Sequence, residues 1–323
     1  MTVKKKILEL FDNNKGEYIS GQKIADKLSV SRNAVWKAVK ALQNEGYDII
    51  AVTNKGYYLS EKTDILSQVG ISKFLRGKAK KFNIEVIKSI SSTNSYLKDL
   101  ASRGAEEGTV IVAEEQTEGR GRMGRSFFSP SNTGIYISVL LRPKMTASDA
   151  LLITTAAAVS VAEAIEAVSD KKSEIKWVND VYIQGKKVCG ILTEASFSME
   201  NIGLEYVIVG IGVNVFHPVG DFPSEIKDIA TPIFHSQQKD IRNNLTAEIL
   251  NGLMNYYYDF HKKEFVEKYK LRSCVVGKNI MVMDGDTSYQ ALALDIDENC
   301  KLKVKTKEGM VKYLSHEEIS VKV

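Results

Sequence analysis

A chain of 323 residues, 44% hydrophobic and 26% charged, is long enough for two or three domains and too apolar to be largely disordered. Three separated cysteines (Cys189, Cys274, Cys300), no CxxC and only four histidines exclude a disulfide scaffold and a Cys/His zinc site, and fit a reducing cytosol. The net charge of +4 is carried entirely by residues 1–62, with eleven Lys/Arg against seven Asp/Glu, while the rest of the chain has 33 of each.

No apolar run approaches the roughly 18 residues of a membrane helix, and the start MTVKKKILELFDNN lacks a signal-peptide core. The expectation is a soluble, cytoplasmic protein with no membrane partner. The basic first fifth suggests a nucleic-acid-facing module on a neutral body.

That module reads as helices. Ile7, Leu8, Leu10 and Phe11 alternate with charge, and a second short helix follows Ser20 with Ile24, Ala25 and Leu28 inward. After the turn at Ser29-Val30, Ser31 is a good N-cap for a helix from Arg32 to about Asn44, and Gly46 supplies a stop. Val35, Ala38, Val39 and Leu42 form its apolar stripe. Asn33, Lys37 and Lys40 point away from it, with Arg32 and Trp36 on the flank. A hairpin from Asp48 to Leu59 turns at Asn54-Lys55-Gly56, which places Lys55 as the wing of a winged helix-turn-helix. The plainer alternative is a small packing domain with these cations merely solvated. Residues 60–64 are a polar linker.

Beyond the linker, Phe82, Ile84 and Val86 alternate as a strand that leads into Ser91-Ser92-Thr93-Asn94 at a helix start. Those side chains either cap the helix or also receive a small polar ligand. A strand at 109–114 precedes Gln116 and then Gly119-Arg120-Gly121-Arg122-Met123-Gly124-Arg125, three arginines and glycines within seven residues, followed by Ser126-Phe127. The glycines allow close backbone approach, and the guanidiniums offer forked donors to phosphate or carboxylate. The GxxxxGK[ST] spacing of a Walker loop is absent. The stretch reads as an anion-binding loop that orders around its ligand, the other possibility being an RG-rich RNA-binding tract.

Next come a strand at 134–141, an Ala-rich helix at 148–168, and Lys176-Trp177-Val178-Asn179-Asp180. A hairpin around Gln184-Gly185 returns through Lys187 toward Gly190, bringing Lys187 beside Asn179-Asp180, and a buried strand ends at Asn214. From Cys274, strands at 279–283, 288–294, 301–305 and 311–314, with turns at Asp284-Gly285 and Glu308-Gly309, read as a small all-β barrel.

Ser92-Thr93-Asn94, GRGRMGR at 119–125, KWVND at 176–180, GKKVCGIL at 185–192 and GIGVN at 210–214 occur in the order seen in biotin protein ligases. With the winged helix in front, the chain resembles the bifunctional subclass that also represses biotin genes. This resemblance spans essentially the whole chain. It implies an α+β protein in three parts: a winged helix-turn-helix (1–62), a central mixed sheet like that of class II aminoacyl-tRNA synthetases (65–271), and an SH3-like barrel (272–323).

The resemblance implies further that ATP and biotin are joined to biotinyl-5′-AMP, which is also the co-repressor. The acyl group then passes to a lysine of a biotin carboxyl carrier domain. Arg120, Arg122 and Lys187 would cover the meeting anions. Ser92, Thr93, Asn94, Gln116, Gly121 and Gly190 would complete the biotin pocket, with Arg125, Phe127, Lys176, Asn179, Asp180 and Asn214 on the nucleotide. Mg²⁺ would arrive with ATP near Asp180, with no metal fixed by protein alone. Ser31, Arg32, Asn33, Trp36, Lys37, Lys40 and Lys55 would face operator DNA, bound by a ligand-promoted homodimer. Two positions depart from the family pattern: Val178, where many members have Pro, and Phe127, where many have Trp. The alternatives are a winged-helix ligand sensor without ligase activity and a lipoate-type ligase.

Overall fold

The computed structural model describes residues 2–61, 63–145, 150–198, 203–284, 287–315 and 319–322. Of the expectations above, linker residue 62, helix residues 148 and 149 and turn residue 285 lie outside them. The chain divides into two units, one of Met1–Phe74 with Gln237–Asn244, the other of Leu75–Ser236 with Leu245–Val323.

In the first unit, α1 (Val3–Asp12), α2 (Gly21–Leu28) and α3 (Arg32–Asn44) precede the hairpin β1 (Ile49–Val52) and β2 (Gly56–Leu59), and α4 (Gln68–Ser72) follows. Each of the first three helices starts at a hydroxyl that accepts a backbone N–H: Thr2 from Lys5, Ser20 from Lys23 and Ser31 from Ala34. Those bonds satisfy donors that a helix start otherwise leaves open. Ser29 ends α2 in the left-handed region at φ 54°, which makes the tight turn into α3. The expected apolar stripes meet in one core containing Ile7, Phe11, Ile24, Val35, Val39 and Leu42. Burying each such side chain stabilises the unit by about 1.5–3 kcal/mol.

The segment at 237–244 joins this unit through charge. Arg242 donates from Nε to Asp64 Oδ2 at 2.7 Å and from its backbone to Oδ1 at 3.0 Å, with both side chains almost wholly buried. Lys15 lies 2.5 Å from Asp240 and 3.1 Å from Asp12. Removing one partner of a buried pair leaves an uncompensated charge, which typically costs about 3–5 kcal/mol.

The second unit holds a seven-stranded mixed sheet in the order β3-β4-β5-β9-β8-β7-β6. Its strands are β3 (Asn83–Ile87), β4 (Thr109–Ala113), β5 (Gly134–Leu141), β6 (Glu174–Lys176), β7 (Asp180–Ile183), β8 (Lys186–Ser198) and β9 (Gly203–Asn214). β3 and β4 are parallel, and the other neighbours are antiparallel. All eight residues of β5 are buried, the mark of a strand covered on both faces. α5 (Thr93–Ser102) sets Leu97 and Ala101 against Ile111, Leu140 and Ile208. α6 (Ala150–Val168) is buried around most of its circumference from Leu152 to Ile165, and its alanines let it lie close to β8.

α7 (Ile241–Tyr258) and α8 (Glu264–Leu271) lead to a five-stranded antiparallel sheet in the order β13-β12-β11-β10-β14. Its strands are β10 (Asn279–Asp284), β11 (Thr287–Ile296), β12 (Leu302–Thr306), β13 (Val311–Leu314) and β14 (Ile319–Lys322). Sequence patterning predicts four strands here and the structure has five, the added β14 pairing with β10. Trp177 Nε1 donates to the Cys300 carbonyl at 3.0 Å, which ties this SH3-like part to the segment before Asn179. Together the two units make the expected α+β fold. Among the described residues no helix is long and apolar enough to cross a membrane.

Candidate active site

The motifs converge on a cleft over the middle of the seven-stranded sheet. Its lining includes Ser92, Thr93, Asn94, Gln116, Arg120, Gly121, Arg122, Phe127, Asn179, Lys187 and Gly190. The start of α5 supplies the first three. Ser92 is the N-cap, accepting from Ser95 N, so capping is one of its jobs. Thr93 and Asn94, in the first turn, are buried at 3% and 4% exposure.

These buried groups are satisfied by a hydrogen-bond network, as the cost of desolvation demands. Gln116 Oε1 accepts from Thr93 N at 2.9 Å and lies 3.0 Å from Thr93 Oγ1. Its Nε2 donates to Ser129 Oγ at 3.0 Å, and Ser129 Oγ donates to the Phe127 carbonyl at 2.9 Å. Behind them Ser138 Oγ, fully buried on β5, is 2.8 Å from Thr93 Oγ1 and 2.5 Å from Asn94 Oδ1. Asn94 Nδ2 donates to Glu194 Oε2 at 2.8 Å and to the Leu192 carbonyl at 3.3 Å.

The glycine-arginine stretch is a tight loop between β4 and β5. Gly121 N donates to the Arg125 carbonyl at 2.7 Å, and Phe127 N to the Gly119 carbonyl at 2.8 Å, around a turn at Arg122–Gly124. Arg122 donates to Asn179 Oδ1 at 3.1 Å. Burial of its guanidinium and the nearby Arg125 charge lower the Arg122 pKa, against the pull of Asp180. Arg120 Nη1 lies 3.3 Å from Glu194 Oε1, and Lys187 Nζ lies 2.7 Å from Asp180 Oδ1. Asn179 Nδ2 also donates to Asp180 Oδ1, at 3.1 Å, and to the Ile191 carbonyl at 2.9 Å. Arg120 and Lys187 thus face carboxylates, and Arg122 is held by an amide oxygen.

The glycines of the floor are spacers. A Cβ built on Gly212 would stand 2.5 Å from the Phe127 ring, and one on Gly210 would overlap the Asn94 amide. No side chain larger than hydrogen fits beneath either group.

Four expected site residues are not among the cleft-lining ones. Asp180 stands behind Lys187. Lys176 lies over the Tyr182 ring, 5.6 Å from its centroid, Arg125 is exposed on the loop, and Asn214 ends β9, its carbonyl accepting from Ile233 N at 2.9 Å. Cys189 is fully buried, which pushes its thiol pKa well above the ordinary range; it is a core residue. Among the described residues no group of three or more His, Cys, Asp or Glu could cage a metal. Sequence reading missed Ser129, Ser138 and Glu194, because one serine in a loop, or one serine or carboxylate in a strand, carries no spacing signal. On the first unit, Arg32, Asn33, Trp36, Lys37 and Lys40 are exposed on α3, Ser31 is exposed as its N-cap, and Lys55 is exposed in the β1–β2 turn.

With this geometry the class follows: a helix-turn-helix unit followed in sequence by a mixed-sheet domain that carries a cation-lined cleft. A helix-turn-helix domain model matches residues 3–58, and the model of the biotin/lipoate A/B protein ligase family matches residues 86–214. The chain is 38% identical over 97% of its length, and 97% of the relative's, to the bifunctional ligase/repressor BirA of Bacillus spizizenii, and 37% identical over the same shares to that of Bacillus subtilis. A solved biotin protein ligase from Aquifex aeolicus, in complex with biotin and ATP, superposes at a TM-score of 0.64 with 31% identity. It covers 74% of this chain and 98% of its own. The chain therefore belongs to the biotin/lipoate A/B protein ligase family, among its bifunctional ligase/repressors.

Proposed function

We propose that this protein joins biotin to ATP, passes the biotinyl group to a lysine of a biotin carboxyl carrier domain, and represses biotin genes in response to the intermediate. The observation that carries the reading is the meeting of Arg120, Arg122 and Lys187 above a buried polar network in one cleft. A ligand sensor alone has no need of three cations at one point. Lipoate-type ligation is disfavoured because GRGRMGR with KWVND and GKKVCGIL spells the biotin version.

In the first step a biotin carboxylate oxygen attacks the α-phosphorus of ATP and pyrophosphate leaves. Two anions must approach, so fixed cations at the point of contact lower the barrier most. Lys187 bridges carboxylate and α-phosphate once it exchanges Asp180 for them, and Arg120 and Arg122 cover the remaining charge. Ser92, Thr93, Asn94 and Gln116 hold the ureido ring and its surroundings, beside Gly121 and Gly190. Phe127 stacks on the nucleotide; Arg125, Lys176 and Asn214 bind it further out. Asn179 and Asp180 are the amide and carboxylate that would hold the Mg²⁺ accompanying ATP, whose charge offsets that of the phosphates. One carboxylate suits Mg²⁺ that keeps waters and phosphate oxygens as its other ligands. In the second step the acceptor amine attacks the acyl carbon of biotinyl-5′-AMP and AMP leaves.

Residues 1–62 form the DNA-binding domain, 65–271 the ligase domain and 272–323 the SH3-like domain in this reading. α3 enters the major groove with Ser31, Arg32, Asn33, Trp36, Lys37 and Lys40, and Lys55 reaches a phosphate. Adenylate binding promotes a homodimer that presents two winged helices to two half-sites. The test is biotin- and ATP-dependent labelling of a carrier domain, read with streptavidin, beside a gel shift of operator DNA. Labelling that needs both substrates, and a shift strengthened by them, are expected. Deletion of residues 1–62 is expected to abolish the shift and leave some labelling, at lower efficiency because Asp240 loses Lys15. Absence of labelling overturns the ligase reading; equal DNA affinity with and without substrates overturns the regulatory one.

A further inference from the structure

Glu194 is an unassigned carboxylate beside the cleft, in contact with two of its lining residues. It lies on β8, paired with Ile208 of β9, and its side chain is 24% exposed. Both oxygens are used: Oε2 accepts from Asn94 Nδ2 at 2.8 Å, and Oε1 faces Arg120 Nη1 at 3.3 Å. A single group on the rigid sheet thus holds one residue of the buried network and one of the glycine-arginine loop.

The consequence for Asn94 is directional. Its NH₂ has two acceptors, Glu194 Oε2 and the Leu192 carbonyl, so its Oδ1 must face Ser138 and receive that hydroxyl proton. Thr93 is next in line through Ser138. Glu194 therefore sets the donor and acceptor order of the pocket wall as well as the location of a loop guanidinium. Electrostatics alone argues the other way: a carboxylate beside a site for an anionic ligand repels it. Its presence there calls for a compensating function.

We propose that Glu194 is a positioning residue for the reaction above, fixing the Asn94 amide and docking Arg120 before the anionic ligand arrives. This rests on the ligase reading just given. Glu194→Gln separates the two accounts. Glutamine can still accept from Asn94 through its carbonyl, but then it turns an NH₂ toward Arg120, donor against donor. Positioning predicts weaker biotin binding in the variant; simple repulsion predicts tighter binding.

The experiment compares the full-length protein with Glu194→Gln and Arg120→Gln. Biotin binding is followed by calorimetry and adenylate formation by pyrophosphate release, with ATP KM, operator affinity and thermal midpoint alongside. A charge-assisted hydrogen bond contributes enough to change affinity by about tenfold or more when lost. The expected result for Glu194→Gln is a biotin Kd raised at least tenfold, with ATP KM and the operator affinity of the substrate-free protein unchanged. The double variant should bind no worse than the weaker single, since the two act as one unit. Equal or tighter biotin binding by Glu194→Gln overturns the proposal, as do fully additive losses. Limited trypsin digestion without ligand supplies a readout independent of the ligase reading: a released Arg120 should make cleavage within 120–125 several times faster in Glu194→Gln. Unchanged cleavage overturns the docking. A wild-type protein that binds no biotin refutes the ligase reading instead, and the trypsin result still decides the docking.

Discussion

The cleft and the outer face of α3 carry the same kinds of side chain in opposite states. In the cleft, Arg120, Arg122 and Lys187 each lie against a named oxygen within 3.3 Å, above amides and hydroxyls that are buried and bonded to one another. On α3, Arg32, Asn33, Lys37 and Lys40 are exposed, and half of Trp36 is open to solvent at 51%. The difference fits two tasks. A site that reacts two anions gains from donors already in position, because reorganising them during the reaction adds to the barrier. A surface that meets a polyanion gains from hydrated, mobile cations, since affinity comes from releasing condensed counterions. Preorganisation belongs to the cleft and not to α3.

Breaking the cleft should therefore have the largest effect. Lys187→Ala removes the proposed bridging cation and leaves Asp180 without its 2.7 Å partner. Losing one positioned donor to developing charge costs about 2.7–4 kcal/mol, so adenylate formation should fall at least a hundredfold. The residue is second in β8 and partly exposed, so the thermal midpoint should hold. Near-normal pyrophosphate release by this variant would sink the bridging role.

The floor is the next test. In Gly210→Ala the new methyl overlaps the Asn94 amide, and overpacking of this kind costs about 1–3 kcal/mol. Asn94 cannot yield without disturbing Ser138 and Glu194. The expected result is a biotin KM raised about tenfold, with operator binding by the free protein unchanged. A biotin KM within twofold of wild type would mean that the network is softer than its distances imply.

The same contrast explains what the sequence could and could not reveal. Helices α1 to α3 were legible because apolar positions recur at helical spacing and, for α2 and α3, because Ser20 and Ser31 cap them. The hairpin was legible from Asn54-Lys55-Gly56. The arginines of the cleft were legible because glycine alternates with arginine, a pattern few other roles require. The partners of those cations were not. Ser138 is one hydroxyl in an apolar strand, and Glu194 is one acid in a β8 segment whose neighbours suggest only a strand. Their role depends on β5, β8 and the start of α5 meeting across 44 to 100 residues of sequence, which no local pattern encodes. The segment at 237–244 is hidden for the same reason: Arg242 shows its place only once Asp64 lies beside it.

The smallest effect is expected on α3, and its character matters more than its size. Lys37 and Lys40 are exposed, so replacing either with alanine leaves no buried group unpaired and should not shift the thermal midpoint. If each meets one phosphate, each substitution should lower the slope of log affinity against log salt by about one. The loss of affinity should be a few-fold at about 0.15 M salt, larger at low salt, and nearly the same for operator and for unrelated DNA. Asn33→Ala or Arg32→Ala should behave differently if those side chains read base edges, lowering operator affinity by about 1–3 kcal/mol while unrelated DNA is bound as before. Fluorescence anisotropy of both DNAs across a salt series, with substrates present, measures all of these together. A Lys37→Ala protein whose salt slope is unchanged would remove that lysine from the interface. Loss of labelling activity in the same variant would break the comparison itself, because it would join two regions whose charges are here argued to work by different means.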